Sequence, residues 1–134
     1  MRRDYVKWYS PSLHRDMELL AFGHAGFPVV VFPTSGGRFW EYEDRGMVRA
    51  LAPKIDRGEL QVICVDSVEQ ESWYNKRAAP ADRLNRQNAF DAYLALELAP
   101  FVHNMHVALW ALAAAALIGT FVSLMRPPHV RLAP

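Results

Sequence analysis

A single cysteine, Cys64, in 134 residues excludes an intrachain disulfide, and that scarcity fits a reducing compartment such as the cytoplasm. Its neighbours Val62, Ile63 and Val65 are apolar, with no histidine or basic residue close in sequence, which predicts a buried structural thiol and not a nucleophile. An excess of charge is also missing. Fifteen basic and 14 acidic residues leave a formal net charge of +1, so no global field would gather nucleic acid or an anionic surface. The opening residues Met1, Arg2, Arg3, Asp4 and Tyr5 run into alternating polar and apolar positions, not into the apolar stretch of an export signal.

Metal chemistry lacks its ligand patterns. His14, His24 and His103 are scattered without zinc-type spacing. Asp66, Glu69 and Glu71 lie close together, but no accompanying ligand pattern completes a cation site, and a solvated acidic loop accounts for them. Lys76, Arg77, Arg83 and Arg86 read as a solvated basic surface. Acidic residues stop at Glu97, and beyond it only Arg126 and Arg131 carry formal charge.

What is present reads as one α/β domain, long enough to bury roughly two thirds of its unfolded surface. Residues 5–9 and 16–22 have strand composition around a short turn, which favours an antiparallel hairpin. Pro28, three valines and Phe32 form an unbroken apolar run between Gly26 and Pro33, the pattern of a strand covered on both faces. Residues 45–57 repeat apolar positions at helical spacing (Met47, Leu51, Ile55), with Asp44 as a candidate cap, Pro53 weakening the last turn and Gly58 as the stop. Residues 60–65 give a second buried-type strand, and strand, helix, strand implies parallel pairing with a right-handed crossover. Residues 67–86 read as a long surface excursion. A helix is expected from about Asn88, with Phe90, Tyr93, Leu94, Leu98, Phe101 and Met105 on one stripe and Pro100 kinking or ending it.

Two stretches carry a resemblance. One is Gly23, His24, Ala25, Gly26, Phe27, Pro28, the three valines, Phe32, Pro33, Thr34, Ser35, Gly36 and Gly37. The other is Asp66, Ser67 and Val68 through Glu71, Ser72, Trp73, Tyr74 and Asn75, followed by Glu97, Leu98, Ala99, Pro100 and Phe101. Together they resemble the opening half of a serine esterase family of the α/β-hydrolases, over about residues 3–105. The resemblance implies hydrolysis of carboxylic esters or thioesters, without metal or organic cofactor. It also implies an oxyanion loop at Thr34, Ser35 and Gly36, and an acyl or alcohol pocket lined by Trp73 and Tyr74. A tight turn in its usual residues accounts equally for the first, and two aromatics anchoring a long loop account for the second.

A serine esterase needs its hydroxyl on a sharp strand-to-helix turn, G-x-S-x-G, followed in chain order by an acid and a histidine. None of Ser10, Ser12, Ser35, Ser67, Ser72 or Ser123 lies in that pattern, and no Asp or Glu follows residue 97. The triad cannot be assembled from this chain, so no catalytic residue is assigned. The expectation is an incomplete, inactive esterase-type domain over 1–105 and an unrelated apolar tail over 106–134. The alternatives are an interaction module that pairs or self-associates through an open sheet edge, and a small protein anchored in a membrane by the uncharged run 107–124. That run reads in three ways: as a membrane helix, as a core strand leading into an apolar helix, or as sequence acquired where a frame change or gene truncation ended the family pattern.

Overall fold

The computed structural model describes residues 1–124, without the side chains of Met105, His106, Leu109 and residues 122–124. Four strands form one mixed sheet: β1 (Arg3–Ser10), β2 (Arg15–Phe22), β3 (Phe27–Val31) and β4 (Leu60–Val65), in the order β1-β2-β4-β3. The expected hairpin is present, with Arg3 opposite Phe22 and Ser10 opposite Arg15. The expected parallel pair is present too, with Phe27 opposite Leu60 and Val31 opposite Cys64. β4 closes the arrangement by pairing antiparallel with β2.

This order places β2 and β4 at the centre, and their side chains alternate between two cores as a pleated strand requires. Met17, Leu19, Ala21, Ile63 and Val65 enter one core with Phe90, Tyr93 and Leu98, while Leu20, Phe22, Val62 and Cys64 enter the other with Val48 and Ile55. Each of these larger side chains, removed from water, contributes about 1.5–3 kcal/mol before entropy is charged against it. Among the described residues β3 is an edge strand with one neighbour, β4. Both of its faces meet packed side chains, Val30 against the first core and Val31 against the second, and its residues are half-buried except the exposed Phe27.

Helical boundaries differ from the sequence reading at three places. A short helix, α1 (Glu41–Asp44), precedes α2 (Met47–Asp56), and Asp44 ends the first instead of capping the second. Gly46, at φ +75°, makes that junction. Helix α3 (Pro80–Tyr93) begins eight residues before Asn88, inside the supposed surface excursion, because Pro80 occupies its first position, where a missing N–H costs nothing. Pro100 does not end the helix. A π-turn over Leu94–Leu98 leads directly into α4 (Ala99–Leu124), and such a widened turn absorbs the amide that Pro100 cannot donate.

The tail therefore continues as helix, and a core strand at its start is ruled out. Val107, Trp110, Leu112, Leu117, Ile118 and Phe121 are all exposed. Among the described residues, no helix is long and apolar enough to cross a membrane. Residues 125–134 of the proposed tail lie outside the described residues, as do the side chains of Leu109 and 122–124 in the run 107–124.

Candidate functional site

The loop that follows β3 is held by charge. Glu41, at the start of α1, accepts hydrogen bonds from the Thr34 N–H at 2.7 Å and the Thr34 hydroxyl at 2.6 Å. These bonds hold the Glu41 carboxyl below the usual carboxylate range. Glu69, from the loop after β4, accepts the Gly36 N–H at 2.7 Å. The Gly37 N–H turns back to the Thr34 carbonyl at 2.8 Å, closing a tight turn with Gly36 at φ +76°. The Ser35 hydroxyl meets the Tyr74 hydroxyl.

Four of the five residues expected to bind substrate thus come together: Thr34, Ser35, Gly36 and Tyr74. Trp73, the chain neighbour of Tyr74, is half exposed. The loop borders a concavity of about 440 Å³, lined by Gly36, Gly37, Arg38, Trp40, Glu41, Asp44 and Arg45. An oxyanion hole needs amides aimed at empty space where charge will develop. Here the Thr34 and Gly36 amides already face carboxylates of the same chain, so a substrate oxygen would first have to displace Glu41 or Glu69.

Sequence reasoning missed the residues that fix this loop. Arg38 donates through Nε to both carboxylate oxygens of Asp66, at 2.7 and 3.0 Å, and through Nη2 to Glu18 at 3.1 Å. Its guanidinium also lies 4.8 Å from the Trp40 ring centroid. Asp66, directly after β4, is fully buried, with the Arg15 guanidinium 4.0 Å away. Arg15 and Arg86 both pair with Glu71, so the acidic residues 66 and 71 are structural partners of arginines distant in sequence. No spacing rule connects residues 28 positions apart, as Arg38 and Asp66 are.

Ser10, Ser72 and Cys64 are held in structural roles. Ser10 donates to Glu97 at 3.0 Å, 87 residues on, and Ser72 to the Val68 carbonyl at 3.1 Å, one turn back. Burial pushes the Cys64 thiol up to about 12, far from the thiolate a nucleophile requires. Among the described residues, no cluster of His, Cys, Asp and Glu could hold a metal ion.

No protein-family model matches the chain, and no curated protein matches its sequence. Among solved structures, the chain is similar to the apoenzyme of S-formylglutathione hydrolase (FrmB) from Staphylococcus aureus, with a TM-score of 0.43 and 11% identity over 72% of this chain. It spans 42% of that hydrolase's length.

Proposed function

We propose that this chain carries the first part of an α/β-hydrolase scaffold of the serine esterase type and, acting alone, does not cleave esters. The observation that carries the reading is that the loop after β3, where the resemblance implies an oxyanion hole, has its Thr34 and Gly36 amides taken by Glu41 and Glu69, in a sequence without G-x-S-x-G. The hairpin, the parallel β3–β4 pair and the order β1-β2-β4-β3 support the scaffold. The absence of G-x-S-x-G, together with the carboxylates seated on the Thr34 and Gly36 amides, supports inactivity. The substrate class such a scaffold would serve is a small carboxylic ester or thioester, handled without metal or organic cofactor.

The test is turnover of p-nitrophenyl acetate by the purified chain. Hydrolysis should not exceed that of a heat-denatured sample. Activity above that control which a serine-directed phosphonate abolishes would overturn the reading. A second reading, a non-catalytic interaction module, is favoured by the edge of β3 that no strand pairs among the described residues and predicts a defined assembly in place of catalysis.

A further inference from the structure

We propose that the edge of β3 left unpaired among the described residues joins β3 of a second copy of this chain, antiparallel, about a twofold axis midway between the two Val30 residues. This deepens the interaction reading and stands whether or not the chain derives from an esterase. The Phe27 N–H bonds to the Glu59 carbonyl at 3.0 Å. Strand alternation therefore turns the backbone groups of Phe27, Val29 and Val31 toward β4, and those of Pro28, Val30 and Phe32 outward.

Proline is tolerated in a sheet where its missing N–H faces away from the ladder, and Pro28 sits on that outward side. The edge thus offers the Pro28 carbonyl, the Val30 N–H and carbonyl, and the Phe32 N–H. That set is self-complementary about Val30. With two strands antiparallel and Val30 opposite its own copy, the two Val30 residues exchange both bonds, and each Phe32 N–H meets the other copy's Pro28 carbonyl. The donor that Pro28 lacks would have served only the Phe32 carbonyl, one residue beyond the strand, where water can reach it.

Side chains agree with this register. Pro28, Val30 and Phe32 line a concavity of about 440 Å³ whose far wall is Leu94, Leu98, Ala99, Val102 and His103. Twofold pairing preserves sheet faces, so the half-exposed Phe32 of one copy enters beside Pro28 of the other, in apolar surroundings. Edge strands that stay single are guarded by charge, proline, bulges or shortness. From Gly23 to Gly37 there is no Asp, Glu, Lys or Arg; the proposed register accommodates Pro28, and Pro33 lies beyond the paired segment Pro28 to Phe32.

The experiment uses the full chain at rising concentration, with mass by light scattering and amide hydrogen exchange read residue by residue. The expected result is a shift from 15.3 kDa to twice that mass, with the Val30 and Phe32 amides gaining protection in step. Phe32→Lys, at an exposed position, should keep the monomer's circular dichroism and lose the dimer. A chain that stays monomeric at every soluble concentration overturns the proposal. So does a dimer in which the Val30 and Phe32 amides exchange as in the monomer, since it would form through another surface such as exposed α4. A Phe32→Lys dimer as tight as the unaltered one overturns it as well. Exchange on the unaltered chain decides the matter even if the variant fails to fold.

Discussion

Arg38 and Asp66 are joined by two hydrogen bonds from one guanidinium nitrogen, 2.7 and 3.0 Å long, and the carboxylate is fully buried. The bond ties the loop after β3 to the end of β4. Together with the Glu41 and Glu69 contacts, it fixes the backbone from Thr34 to Arg38 on three sides.

Arg38→Met should destabilise the fold strongly, because it leaves Asp66 buried with only the more distant Arg15 for company. Losing one partner of a buried pair costs about 3–5 kcal/mol, and the partial exposure of Arg38 puts the expected loss at the lower end of that range. Adding Asp66→Asn removes the stranded charge, so the double variant should recover part of that loss. Urea unfolding of both variants checks this, and a single-variant loss under about 1 kcal/mol would show the pair to be a weak surface contact.

Two glycines with positive φ make a controlled contrast. A Cβ on Gly26, at φ +99°, would lie 2.3 Å from the Glu59 carbonyl carbon and 2.4 Å from the Leu60 nitrogen, where β3 approaches β4. Backbone there cannot yield as a side chain would. Gly46, at φ +75°, has nothing within 4 Å of such a Cβ. Gly46→Ala should therefore cost only the left-handed backbone term of about 1–2 kcal/mol. Gly26→Ala adds a backbone collision and should exceed about 3 kcal/mol, or leave the chain insoluble. Equal melting temperatures for the two variants would contradict the close approach at Gly26.

Glu69→Ala should free the Gly36 amide with little change in stability. The carboxylate is partly exposed, and an exposed substitution of this kind is expected to shift stability by no more than about 0.5 kcal/mol. Amide exchange at Gly36 should quicken while that of the β2–β4 ladder stays constant. An unchanged Gly36 rate would mean that the Glu69 contact does not persist in solution.

Legibility in the sequence followed the range of the interactions. The hairpin, β4 and the body of α2 rest on alternation, apolar runs and helical period, all local, and each appeared where the residues placed it. β3 was legible as a strand but not as an edge, since its neighbours are set by the chain's path and a run of valines suits either position. The start of α3 carried a readable signal, Pro80 at the first helical position, which the polar composition around it obscured. The loop residues Thr34, Ser35 and Gly36 were placed together by adjacency alone. Their carboxylate partners were not foreseen, because Glu41 and Glu69 acquire that role only when α1 and the loop after β4 fold against the turn.

Acid stability should depend on Glu97, which lies in the π-turn and clasps the hairpin's tip. Its carboxylate accepts the Ser10 hydroxyl and the Ser12 N–H, each at 3.0 Å. Burial alone would raise its pKa, but the hydrogen bonds from Ser12 and Ser10 outweigh it and hold the group below the usual carboxylate range. A depressed folded-state pKa contributes stability that is fully present above the unfolded value of about 4.3 and is lost as pH falls through the lower folded value. Stability should therefore decline as the pH drops from the ordinary glutamate range into the acid region. Glu97→Gln removes the titrating group while keeping an acceptor for Ser10 and Ser12, so its unfolding free energy should fall less steeply over that window. Urea midpoints measured stepwise across it will show the difference, and parallel acid limbs for the two proteins would mean that the clasp contributes nothing that protonation can remove.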